Sequence, residues 1–185
     1  MPRKLLVPMV LAALALLPGT VAADQRDRRL DDLFARLQST ARAGEAQAIE
    51  QRIWSIWSET ADPQAGILLQ EGLSAMAHRR FGDALERFDR MVEQAPHFAE
   101  GWNRRATLHY LMGNFHASVL DIQRTLDLEP RHFGALSGLG LIYDAVEQPA
   151  AALRSFEAAV AINPHLDTIE QRILELRRQL AGRPT

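Results

Sequence analysis

The chain of 185 residues has no cysteine. Disulfide staples, cysteine-held metals and thiol catalysis are therefore excluded, and stability has to come from packing alone. Lysine is nearly as scarce: Lys4 is the only one, so every later basic residue is an arginine. Genome composition accounts for that bias, as does a use of planar guanidinium groups for bidentate contacts to carboxylates. Aromatics make up 6% of the chain and the formal net charge is only −2. With arginines interspersed among acids, no basic face of the kind that holds nucleic acid is evident.

One continuous apolar run exists, from Leu5 to Leu17, and it is too short to span a bilayer comfortably. Arg3 and Lys4 precede it, Pro18-Gly19 breaks it, and Val21-Ala22-Ala23 supplies small residues for cleavage. This is the pattern of a secretory signal peptide over residues 1–23. The expected mature chain begins near Asp24, is exported to a bacterial periplasm, and keeps no stable membrane insertion; an uncleaved anchor is the alternative. Removing the segment takes two of the 21 basic residues and none of the 23 acidic ones, leaving a formal charge of −4.

The remaining chain is periodic. Pro96, Pro130 and Pro164 stand 34 residues apart, and the residues between them fall into columns at that period. A large apolar residue recurs at Leu68, Trp102 and Leu136, followed four residues later by a small one at Gly72, Ala106 and Gly140. A second stripe pairs Ala84, Ser118 and Ala152 with Phe88, Ile122 and Phe156. Both spacings are helical, and the small residues let a facing helix approach closely. Phe81 and Phe115 are expected to open the second helix of their units, with Pro149 opening it in the third, where a proline at the first helical position loses no hydrogen bond.

A 34-residue helix-turn-helix unit resembles the tetratricopeptide repeat. Residues 99–132 (AEGWNRRATLHYLMGNFHASVLDIQRTLDLEPRH) show Trp102, Ala106, Gly113, Phe115, Ser118 and Pro130 where that family's pattern has them, and depart from it at His109, where an aromatic is usual. The expected fold is all-α: a right-handed α-solenoid of antiparallel helix pairs, with three clear repeats at 65–98, 99–132 and 133–166. One more step of 34 residues upstream brings Phe34, Trp54 and Trp57 onto the large-residue columns. Residues 24–64 are read as a degenerate N-terminal capping repeat, whose tryptophans belong to the core. Ile169, Ile173, Leu176 and Leu180 make a single apolar stripe in 167–185, as expected of a C-terminal capping helix covering the end of the array.

Chemistry is hard to find. None of the six histidines pairs with another at the spacing that sets two ligands on one helix face; GALSGLG at 134–140 is neither preceded by a strand nor a GxGxxG loop; and Ser137 lacks a nucleophile elbow. An enzyme is not expected, and no cofactor or metal is assigned.

The resemblance implies a groove lined by the first helix of each repeat that holds a protein or peptide partner. The groove candidates are Gln70, Leu73, Asn103, Arg104, Thr107, Tyr110, Ser137, Leu141 and Asp144. Arg104 is the favoured contact, taking a carboxylate or backbone carbonyls, unless it is paired within the chain; Arg105 is read as a structural ion pair. A scaffold or assembly role follows. The rivals are a client-holding factor in envelope or cytochrome maturation, self-association of the array, and a metal-dependent regulator or enzyme. Intact-mass measurement on the exported protein is expected to show a chain starting at Asp24, and a mass that retains Met1 overturns removal of the segment.

Overall fold

The computed structural model describes residues 27–182, so the signal-like segment lies outside the described residues. Among them are nine helices and no strand: α1 (Arg28–Ser39), α2 (Ala43–Trp57), α3 (Pro63–Ala77), α4 (Phe81–Gln94), α5 (Ala99–Leu111), α6 (Phe115–Leu128), α7 (Phe133–Ala145), α8 (Pro149–Ile162) and α9 (Asp167–Ala181). The pairs α3–α4, α5–α6 and α7–α8 pack internally, each joins the next, and α5 also meets α7 directly, giving the α-solenoid. No helix among the described residues is long and apolar enough to cross a membrane.

Local sequence explains where each helix starts and turns. The Asp62 carboxylate accepts from the amides of Gln64 and Ala65 at 2.9 and 3.2 Å, with Pro63 at the first position of α3. Pro149 opens α8 in the same way, and Phe81 and Phe115 open α4 and α6 as the columns require. Within each pair the turn passes through the left-handed region at Arg79, Gly113 and Glu147, another 34-residue column, with φ of 57°, 76° and 57°. There the amide two residues beyond the first helix's cap reaches back five residues, as in Arg80 N to Ala75 O at 2.9 Å and Asn114 N to His109 O at 2.8 Å. Only Gly113 adopts this conformation without a Cβ penalty.

The small-residue column does what its period implies. A Cβ on Gly72 would stand 2.3 Å from the Phe88 ring, and one on Gly140 2.3 Å from the Phe156 ring. In the middle pair the column holds Ala106, whose carbonyl accepts from the hydroxyl of Ser118, the small residue of the second stripe, at 2.7 Å. Along α9, Ile173 and Leu176 are buried, with Ile169 packed beside them, so α9 covers α8 as a cap. Arg172 ties it to α7 through two bonds to Asp144 of 2.8 and 2.6 Å.

The N-terminal unit is a helical hairpin, but it does not keep the array's step. Its turn falls at residues 40–42, whereas the turn at 78–80, moved back by one period, falls at 44–46. Nor does its apolar face close on α3. Leu30, Phe34, Leu37, Ala46, Ile49, Ile53, Ile56 and Trp57 form one core with Phe133, against which Ile162 and Leu166 pack; no α3 residue belongs to it. The hairpin therefore folds back across the turns between repeats. Polar contacts follow the same route: Arg131 reaches Asp31 at 2.7 Å, and His165 Nε2 lies 3.0 Å from Leu37 O.

In α7, replacing a glycine by alanine would ordinarily stabilise the helix by about 1 kcal/mol. Gly140→Ala is expected to do the opposite, lowering stability in a urea titration by about 1–3 kcal/mol because the new methyl group overpacks Phe156. Adding Phe156→Leu should recover part of that loss.

Candidate functional site

Two adjoining features occupy the inner face where α5 meets α7. The first is a buried polar cluster. Glu100, in the first turn of α5, is fully buried. Its carboxylate accepts from Asn103 Nδ2 at 2.9 Å, meets His132 Nε2 at 3.1 Å, and pairs with Arg104 Nη2 at 2.5 Å. A carboxylate so placed is tolerated only when it is paired and hydrogen-bonded. His132, also fully buried, stands at the start of α7, where Nδ1 accepts the Ala135 amide at 3.1 Å. An acceptor at Nδ1 places the neutral ring's proton on Nε2, where it is donated to Glu100. Trp57 stacks on the His132 ring at 4.1 Å and 10°, and Trp54 packs edge-on against Trp57, His132 and Phe133. The hairpin thus lies directly over the charge cluster.

The second feature is a cavity of about 180 Å³ between α5, α6 and α7. From α5 it is lined by Asn103, Ala106, Thr107 and Tyr110; from α6 by Ser118 and Ile122; from α7 by Gly134, Ala135, Ser137, Gly138 and Leu141. No charged side chain lines it. The hydroxyls of Thr107 and Ser137 donate to Asn103 O and Phe133 O in their own helices, at 2.9 and 2.8 Å, which leaves their oxygens as acceptors.

Five of the nine groove candidates therefore share one cavity: Asn103, Thr107, Tyr110, Ser137 and Leu141. The other four are placed elsewhere. Gln70 lines a separate depression of about 410 Å³ with Glu71, Ser74, Arg80 and Arg87, and Leu73 packs against the core shared by α3, α4 and α5. Asp144 is held by Arg172 of the cap. Arg104 takes the alternative of pairing within the chain: its guanidinium lies between Glu100 and the Trp54 ring, 5.5 Å from the ring centroid, with 30% of the side chain exposed. The buried acid four residues before it, one helical turn away, claims it first. An Arg104→Glu exchange would set a second carboxylate against Glu100, so any loss of binding would report on the fold.

Arg105 is the structural pair expected of it. Its Nε and Nη2 bond both oxygens of Asp121 at 2.8 Å, its Nη1 bonds Asp89 at 2.8 Å, and Asp121 holds the guanidinium's pKa above its ordinary value. Its guanidinium carbon lies 4.9 Å over the Trp102 ring. Trp102 itself is only partly buried, with Nε1 donating to Pro96 O at 3.0 Å; of the two hairpin tryptophans, Trp57 is fully buried and Trp54 partly buried against the same core. Sequence reasoning missed Glu100 and His132. The available signal was an acid at the second position of an inner helix facing a histidine 32 residues on, too long a separation for any helical spacing to display. Among the described residues no three acid or histidine groups are placed to hold a metal.

Glu100→Ala leaves the His132 proton, the Asn103 amide and the Arg104 charge without their acceptor. Denaturant unfolding is expected to show a loss of about 3 kcal/mol, the low end for a broken buried pair because Arg104 retains some water. The tryptophan emission should shift to the red as the hairpin loosens.

No family-level sequence profile matches the chain. A TPR repeat-containing protein of Rhizobium etli is 34% identical over 164 residues, covering 89% of this chain and 80% of that protein. Among solved structures, MamA superposes with a TM-score of 0.60 at 20% identity, covering 80% of this chain and 84% of its own. The first TPR domain of Spaghetti (RPAP3), bound to the HSP90 peptide SRMEEVD, gives a TM-score of 0.62 at 16% identity, covering 64% and 94%. With a relative so similar over most of its length, and the 34-residue helix-pair period realised in the structure, the chain belongs to the tetratricopeptide repeat family.

Proposed function

We propose that this protein is a non-catalytic binding module that holds a peptide or protein segment on the inner face between α5 and α7, in a scaffold or assembly role. The observation that carries the reading is the cavity between those helices, which gathers Asn103, Thr107, Tyr110, Ser137 and Leu141 around space that none of the described residues fills. A domain of the same fold is seen with a peptide, the HSP90 segment on RPAP3. The rest of the inner face is committed to the fold through Glu100, Arg104 and Asp144. Tyr110, half-buried beside Phe115 at 5.7 Å between ring centroids, offers a rigid amphipathic surface at the cavity's edge.

The segment ahead of Asp24 supports export, so the partner is sought in the periplasm of a bacterial cell. A photo-crosslinking residue in place of Tyr110 or Leu141 is expected to give discrete adducts in cells, while the same residue at Leu120, exposed on α6 away from the cavity, gives none. Adducts at Leu120 alone would move the binding face to the outer helices.

A further inference from the structure

Gly138 is the sixth of the thirteen residues of α7. Glycine inside a helix is unfavourable by about 1 kcal/mol relative to alanine, so an interior glycine calls for a reason. For Gly72 and Gly140 the reason is a ring 2.3 Å from where a Cβ would stand, and for Gly134 it is Trp54 Cη2 at 2.5 Å. Gly138 has no such neighbour, and neither does Gly66 of α3, whose nearest atom is Thr60 Cγ2 at 3.6 Å; what sets Gly138 apart is its place in the cavity wall. The nearest atom to its Cβ position is Ile122 Cδ1 at 3.6 Å, an ordinary contact, and both residues line the cavity. A side chain there would enter the cavity without displacing anything in the fold.

The cavity's size and lining narrow what could fill it. At about 180 Å³ it is smaller than the roughly 300–1,000 Å³ typical of pockets for drug-sized ligands. It is close to the roughly 150 Å³ that holds a single benzene ring when lined by apolar side chains. Ala106, Ile122, Ala135 and Leu141 make its walls apolar. Arg104, one residue beyond Asn103, does not line the cavity; its guanidinium is paired with Glu100 and lies 5.5 Å from the Trp54 ring centroid, with 30% of the side chain exposed. A carboxylate entering the space would lose its water and find no cation in the lining, the guanidinium beyond Asn103 being already paired with Glu100. For the main chain beside an inserted side chain, the Thr107 and Ser137 oxygens offer acceptors.

We infer that the space over Gly138 is the receptacle for one uncharged aromatic or aliphatic anchor side chain of an extended partner segment, and that recognition here does not use a terminal carboxylate. This rests on the binding reading above and specifies its partner class. The groove selects by apolar fit, and Gly138 keeps the socket open at the expense of helix stability.

The test uses the mature chain with acetylated, amidated pentapeptides Gly-Gly-Xaa-Gly-Gly, where Xaa is Phe, Leu or Glu, followed by amide chemical shifts. Saturable shifts at residues 103–110 and 134–141 are expected with Phe and Leu, with at least tenfold weaker binding of Glu. A free carboxyl terminus in place of the amide should change the affinity by less than twofold. Gly138→Leu should abolish the Phe-peptide shifts; Gly138→Ala should weaken them at least threefold while raising the melting temperature by about 2–4 °C, a change that keeps the test open if the leucine variant folds poorly. Equal or tighter binding of Glu, or tenfold tighter binding of the free acid, would overturn the anchor while leaving the groove as a binding site. Shifts confined to other faces would overturn both readings.

Discussion

The arrangement of the inner face depends on one carboxylate that has no contact with water. Glu100 is buried at the start of α5, and an ionised group in that position requires partners from whatever elements surround it. It takes two from its own helix, Arg104 by the i, i+4 approach and Asn103, and one from the turn leading into the next repeat, through His132. His132 thereby joins two repeats, since the same ring caps α7 at Ala135 and accepts Trp57 against its face. A single buried charge thus couples α5, α7 and the N-terminal hairpin. The coupling also has an electrostatic result: the Arg104 guanidinium is paired with Glu100 within the chain, and the cavity left between α5 and α7 has no charged side chain in its lining.

Much of the solenoid was legible because repeat packing is local and recurs. Each helix pair buries its own stripe and then that of its neighbour, so the constraint on Gly72 reappears on Gly140 and the pattern is visible without coordinates. The turn column shows the limit of that logic. Arg79 and Glu147 adopt the left-handed conformation that Gly113 takes easily, so the column's geometry is shared while its residue type is not. The hairpin was harder to place. Its Phe34, Trp54 and Trp57 do occupy the core, which a 34-residue step predicts, but the shift of its turn by four residues and its docking on Phe133, Ile162 and Leu166 arise from long-range contacts with no periodic signature. The choice between the two readings of Arg104 was open for a related reason. An arginine on an inner helix reads as a ligand contact until the burial of Glu100 is known, and burial is a tertiary property.

Two glycines two residues apart in α7 show how the same residue type carries opposite information. Gly140 faces Phe156 of its own pair and is fixed by packing; any added atom collides with a ring. Gly138 is turned from that interface toward α5 and α6, where an added methyl would meet only Ile122 at ordinary distance. If stability alone governed both positions, alanine would be the better residue at 138 and glycine the better one at 140. Retention of glycine at 138 is then a sacrifice of helix stability for open volume, of the kind found where binding and stability compete for one site. The neutral lining left by the Glu100 cluster and the unfilled space over Gly138 are therefore two sides of one arrangement. The fold withdraws charge from the groove on one side and bulk from it on the other, and an uncharged side chain from outside is the group that satisfies both.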